Sequence, residues 1–199
     1  MAAASEIDGA VLLGGASRRM GRDKARLQLL GVASATRVAR ALAEVCGNVW
    51  LVGGSAPEDA PGRAVPDPEG PRCALRGLVA ALGASPVRHV LVVATDQPLV
   101  APEFLSVLAA TEDADAVVPR DAHGLHPLCA RYRCESVLPV ARARLAGDDL
   151  SLHGLLSALD VKYLEGEALR RADPGGASLL NVNTPEDLVR AEARLRSGA

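Results

Sequence analysis

The chain has 199 residues, 49% of them hydrophobic, enough for one domain to bury a substantial core. A formal net charge of −2 and an aromatic content of 2% exclude the basic footprint and stacking platform of a nucleic-acid binder, so any phosphate ligand must be recognised locally. No apolar run approaches the roughly 18 residues of a membrane span, and residues 1–8 lack the basic and apolar regions of a signal peptide, so a cytoplasmic protein without membrane association is expected.

The first apolar run, Ala10 to Leu13, reads as a strand that stops at Gly14 and Gly15. Glycine has no Cβ and tolerates positive φ, so the backbone there can approach a ligand closely and aim N–H groups at it. Arg18, Arg19, Arg22 and Lys24 follow, and guanidinium forks and an ammonium point charge both suit phosphate oxygens. The pattern is neither G-x-G-x-x-G nor G-x-x-x-x-G-K-[S/T], because Lys24 lies between Asp23 and Ala25. It implies a third kind of nucleotide loop.

Ser34 to Cys46, with Val38, Leu42 and Val45 on one face and Gly47 as a stop, predicts a helix, and Asn48 to Val52 a strand. Prolines and glycines crowd the segment from Gly53 to Arg72, which excludes a long helix and frames a loop around a short strand at Arg63 to Val65. That segment reads as an active-site loop, not a domain boundary. A helix is expected over Ala74 to Leu82. His89 to Ala94 is apolar on both faces, as central parallel strands are, and it ends in Thr95-Asp96-Gln97-Pro98 before a helix that starts at Pro102. Strands at Ala116 to Pro119 and Leu128 to Tyr132, helices at Glu135 to Leu145 and Leu152 to Leu159, and strands at Val161 to Leu164 and Leu179 to Val182 follow. Thr184 can cap a last helix with Pro185 at its first position, Glu186 and Asp187 in its first turn, and Arg194 and Arg196 near its end. The alternation predicts a single α/β domain over residues 1–199 with a mostly parallel sheet.

In such a sheet, ligands bind beyond the carboxyl ends of the strands. The polar residues that follow strands directly are Gly14 to Lys24, Asp67, Asp96, and Asn181 with Asn183, and these are expected to converge on one face. Asp96 is placed to hold Mg²⁺, which needs few protein oxygens; on position alone a turn-capping role has equal weight. Asp67, between two prolines, reads strongly as a rigid turn residue. His126, Cys129 and Cys134 form one loose cluster, whereas structural zinc sites usually present two spaced pairs, so these cysteines, with Cys46 and Cys73, read as reduced thiols.

Leu12 to Lys24 reads L-x-G-G-x-S-x-R-M-G-x-D-K and resembles the signature loop of nucleotidyltransferases that build dinucleotide and sugar-nucleotide pyrophosphates. The form with Arg19-Met20-Gly21 and Asp23-Lys24 is most similar to the molybdenum cofactor guanylyltransferases. Thr95-Asp96-Gln97-Pro98-Leu99 resembles that family's D-x-P segment, and Asn181-Val182-Asn183-Thr184-Pro185-Glu186-Asp187-Leu188 its N-x-N-T-P-E-[E/D]-L. His126-Pro127-Leu128 resembles its H-P-L segment near the pterin, while Cys73-Ala74-Leu75-Arg76-Gly77 keeps part of its P-L-x-G.

The resemblance implies a Rossmann-like three-layer nucleotidyltransferase fold with a nucleotide-binding N-terminal half and an acceptor-binding C-terminal half. It implies transfer of GMP from Mg·GTP to the terminal phosphate of a molybdopterin-type cofactor, with Lys24, Arg19 and Asp96 in catalytic roles. Leu12, Leu13, Gly14, Gly15, Lys24, Asp67 and Asp96 would contact the nucleotide, Asp96 the Mg²⁺, and His126, Asn181 and Asn183 the acceptor. Molybdoenzymes or cofactor-delivery proteins are the implied macromolecular partners. Leu13 departs from the family's usual Ala, and a larger side chain there is expected to alter the floor of the base pocket. Two alternatives stay open at this point: use of CTP or a sugar-phosphate acceptor, and a non-catalytic module that binds GTP or pterin.

Overall fold

The computed structural model describes residues 7–14, 24–66, 69–70, 72–111, 114–147 and 149–197. In chain order these form β1 (Ile7–Leu12), a 3-10 turn (Lys24–Arg26), β2 (Gln28–Leu29), β3 (Val32–Ala33), α1 (Ser34–Ala43), β4 (Val49–Val52) and β5 (Arg63–Val65). Next come α2 (Ala74–Ala84), β6 (His89–Ala94), α3 (Pro102–Ala110), β7 (Ala116–Asp121), β8 (Gly124–Leu125) and β9 (Cys129–Arg133). The chain continues through α4 (Cys134–Leu145), α5 (Leu152–Leu156), β10 (Val161–Glu165), α6 (Gly166–Ala172) and α7 (Pro185–Ser197).

One sheet runs in the order β10-β7-β9-β6-β1-β4-β5, with β8 paired to β7. β5, β4, β1 and β6 are mutually parallel, and β9 alone runs against both of its neighbours, β6 and β7. The reversal has a simple cause. The link from Asp121 to Cys129 is shorter than the dozen or so residues that a parallel crossover needs, so the chain turns back through β8 and enters the sheet from the carboxyl edge.

Alternate residues of the central strands feed two cores. Val11, Leu91 and Val93 pack under α1 and α3, whereas Ala10, Leu12, Val90 and Val92 pack under α2 and α4. Both faces of β1 and β6 are thereby covered, in keeping with the unbroken apolar runs Gly9 to Leu12 and Val90 to Ala94. A third cluster, Leu29, Val182 and Ala191, joins the β2–β3 hairpin to α7.

Several sequence expectations change, α1 among them, which ends at Ala43 and not at Cys46. Leu179 to Val182 is not a strand: both sides of β6 are already occupied, by β1 and β9, so the segment docks instead through the Val182 N–H on the Asp96 carbonyl. The helix expected over Leu152 to Leu159 stops at Leu156 and finishes in turns, with Ser157, Ala158 and Leu159 N–H groups bonding back to His153, Leu155 and Leu156 carbonyls. β1 starts at Ile7, three residues early, because Asp8 is a buried strand residue with dedicated hydrogen-bond partners.

At the amino end of β6, His89 lies opposite Arg133 of β9. Burial, then Arg131, Arg88 and Arg133, push its imidazole down to about 4 from 6.5. Between those values the unfolded chain binds a proton that the folded chain refuses, so stability is full above about pH 6.5 and falls as the pH drops towards about 4. A His89→Gln variant is expected to lose this part of the acid sensitivity. The measurement is the urea midpoint at pH 5 against pH 7, and an unchanged difference between the two in the variant contradicts the assignment.

Candidate active site

The carboxyl edge of the sheet is knitted around the last residues of β6. The Ala94 N–H donates to the Leu128 carbonyl at 2.8 Å and the Thr95 N–H to the Leu12 carbonyl at 3.4 Å, while the Asp96 carbonyl accepts from Val182 at 2.7 Å. Three distant segments therefore meet at one tripeptide: the end of β1, the entry to β9, and the approach to α7. Asp96 itself is half-buried there.

On the β1 side, the Leu13 N–H donates to the Val52 carbonyl at 2.9 Å. Leu13 is only 4% exposed and belongs to the core, with its Cβ against Gly54, where a substituent would sit 3.2 Å away at a φ of +56°. Its side chain is thus packed into the protein, and the residues that follow Gly14, with which it would frame a base pocket, lie outside the described residues. Lys24 contributes backbone to the 3-10 turn, but its side chain lies outside the described residues, as do Gly15, Arg18, Arg19, Arg22 and Asp67.

On the β9 side, a cavity of about 380 Å³ opens beside Asp96. His126, His153 and Asn181 supply its other ionisable or polar side chains with Gln97, and Leu125, Pro127, Leu128, Leu150 and Leu152 form apolar walls. None of its described lining residues is Lys or Arg. His126 reaches it because β9 is reversed, so the residues before that strand lie at the carboxyl edge. Its Nε2 is 3.0 Å from Asp121 Oδ1, and its side chain is 9% exposed. Burial works against the Asp121 charge, but the His126 imidazole and the His123 N–H, 2.7 Å from Oδ1, outweigh it and hold the carboxyl below its ordinary value.

Asn181 and Asn183 flank the buried Val182, so the alternation of an extended segment turns both outward. Asn181 lines the cavity, whereas the Asn183 N–H is bonded to Asp187 Oδ2 in a reciprocal cap with Thr184, whose Oγ1 accepts from the Asp187 N–H. A second cavity, about 450 Å³, lies under α7 and shares Asn181 with the first.

Sequence reasoning missed Gln97, His153 and Asp121. Gln97 follows Asp96 directly and could have been found from that alone; His153 had no signal beyond a short helix. Asp121 could have been seen as the residue ahead of a tight turn leading into His126-Pro127. Among the described residues no group of three or more His, Cys, Asp or Glu side chains stands ready to hold a metal. Cys46, Cys73, Cys129 and Cys134 are free thiols, and burial, then Asp8, pushes Cys46 up to about 12. One half-buried carboxylate beside an open cavity does fit Mg²⁺, which fills its remaining positions with water and substrate phosphate.

A mostly parallel sheet between helices, with Gly14 and the acidic strand end at Asp96 at one carboxyl edge, is the architecture of a Rossmann-like nucleotidyltransferase. Residues 9–164 match the model of the MobA-like NTP transferase domain. The chain is 35% identical over 198 residues to a probable molybdenum cofactor guanylyltransferase of Chloroflexus aggregans, covering 95% of each. It is 31% identical over 199 residues to the molybdenum cofactor guanylyltransferase of Desulfosudis oleivorans, covering 96% of this chain and 97% of that one. Among solved structures, molybdopterin-guanine dinucleotide biosynthesis protein A of Archaeoglobus fulgidus superposes with a TM-score of 0.82 at 27% identity, over 96% of this chain and 99% of the other. The protein belongs to the MobA-like NTP transferase family and is a nucleotidyltransferase.

Proposed function

We infer that the protein transfers GMP from GTP to the terminal phosphate of a molybdopterin-type cofactor and releases pyrophosphate. Similarity to molybdenum cofactor guanylyltransferases along nearly the whole chain supports the substrates. The observation that carries the geometry is the cavity beside Asp96, which opens next to the strand end hydrogen-bonded to Leu12. A nucleotide held at Leu12, Leu13 and Gly14 and an acceptor in the cavity would then meet at one carboxylate.

In the reaction an acceptor phosphate oxygen attacks the α-phosphorus of GTP, and the bond from that phosphorus to the α,β-bridging oxygen breaks. The nucleophile already carries negative charge, so no Ser, Cys or His nucleophile is needed. The protein's task is alignment and charge. Asp96 would hold Mg²⁺, which when bound neutralises the phosphates; Lys24 and Arg19 would act on the same charge, and Asp67 and Gly15 on the nucleotide. His126, Asn181 and Asn183 fall on the acceptor side of this reading. The N-terminal half serves the nucleotide and the C-terminal half the acceptor. Delivery to a molybdoenzyme in the cytoplasm, directly or through a carrier protein, completes the proposal.

Nucleotide choice is tested by thermal unfolding with Mg²⁺ and each of GTP, ATP, CTP and UTP. GTP is expected to give the largest upward shift, since a ligand present at 100 times its Kd adds about 2.7 kcal/mol to the folded state. A larger shift with CTP would overturn the guanine assignment, and an absence of pyrophosphate release when the pterin acceptor is added would overturn the reaction.

A further inference from the structure

The turn after Asp96 fixes the backbone of Gln97 but leaves its side chain unexplained. The Gln97 N–H donates to the Ala94 carbonyl at 3.2 Å, and its own carbonyl accepts from the Val100 N–H at 3.3 Å. The carboxamide is different. The residue is only 3% exposed, yet Oε1 is enclosed without a hydrogen-bond partner. A buried acceptor that no donor serves destabilises the folded chain, whereas an apolar side chain of similar size would not. Such a group calls for a partner from outside the chain. Gln97 also lines the cavity of about 380 Å³ beside Asp96, where Leu125, Leu128, Leu150 and Leu152 supply apolar surface. The last torsion of a glutamine is soft, so the amide turns its oxygen or its NH₂ to that space without disturbing the stem.

We propose that Gln97 is a specificity-determining residue for the acceptor, its carboxamide pairing with the lactam or amidine edge of a pterin-type ring. A carboxamide presents an acceptor and a donor side by side in one plane. The complement is a flat heterocycle that presents a donor and an acceptor in the same way, and leucine walls suit the faces of such a ring. A sugar phosphate instead brings hydroxyl groups that leucines leave without partners. The acceptor's phosphate takes no part in the contact. This inference rests on the guanylyltransferase reading and deepens it, but the two fail separately. Pyrophosphate release by the wild type tests the reaction, whereas binding of a phosphate-free pterin tests Gln97 without turnover.

The experiment compares Gln97→Met with wild type in the full chain, with Gln97→Leu as the substitute if the methionine variant does not fold. Binding of 6-hydroxymethylpterin is followed by the fluorescence of its ring, and KM is measured for the pterin acceptor and for GTP. The variant is expected to raise the pterin Kd about 3- to 10-fold, the loss of one hydrogen bond between neutral groups, and acceptor KM by the same factor. GTP KM should not move. The melting midpoint without ligand should equal or exceed that of wild type, because the orphaned acceptor is gone, and a merely structural glutamine would move it down. Equal pterin Kd in the two proteins, a parallel rise in GTP KM, a lowered ligand-free midpoint, or a wild type that binds no pterin would each overturn the assignment.

Discussion

Asp96→Ala is expected to lower guanylyl transfer by about 10² to 10³ while leaving the melting midpoint close to wild type, and Lys24→Ala to lower it by a similar factor. The size follows from what one preorganised charge is worth against charge developing in a transition state, about 2 to 4 kcal/mol. The expected separation from stability rests on the main chain: the residue 96 carbonyl oxygen accepts the Val182 N–H, and alanine keeps that oxygen. Asp96→Asn sharpens the test, since it preserves shape and removes only charge. Steady-state turnover with saturating GTP and Mg²⁺ is the measurement. A variant with wild-type turnover would remove Asp96 from the chemistry, and one that melts far below wild type would show a structural role for the carboxylate instead.

The order of strands and helices was legible because it rests on local signals. Val90 to Val93, apolar on both faces, could only be a central strand, and Thr184-Pro185 with Asp187 three residues after the threonine could only open a helix. What was illegible depended on partners distant in sequence. Leu179 to Val182 has the composition of a strand, yet whether it becomes one depends on a free sheet edge, and β6 has none. The direction of β9 turned on the length of a single connection. At the site, Asp96 could be placed because it ends a strand, and Asn181 lies beside it because Val182 docks on its carbonyl. Asp121 stayed hidden because its meaning comes from facing His126 after the chain has reversed, a relation that no spacing rule records.

Asp8→Ala is expected to destabilise the protein by about 3 kcal/mol or more while leaving the turnover of the folded fraction intact. Asp8 is fully buried in β1, at the end of the sheet opposite the candidate site. One oxygen accepts from the Asn48 backbone N–H at 3.1 Å and the Asn48 side-chain amide at 3.0 Å; the other accepts from Trp50 Nε1 at 3.0 Å and Ser85 Oγ at 2.8 Å. The carboxylate therefore binds β1 to the entry of β4 and to the turn after α2. Truncation strands at least the indole N–H and the Asn48 backbone N–H, both partly buried, and an orphaned donor costs about 1 to 3 kcal/mol where water cannot replace its partner. Asp8→Asn should cost less, because one oxygen can still serve Asn48 and the Ser85 hydroxyl can turn to accept from the new amide, leaving Trp50 as the donor without a partner. The ordering Ala worse than Asn worse than wild type, read from urea unfolding midpoints at constant slope, distinguishes lost hydrogen bonds from a simple volume change. Equal midpoints for all three would mean that the network contributes nothing. A loss of turnover in protein that is still folded would mean instead that the amino end of β1 influences activity from the end of the strand opposite the candidate site.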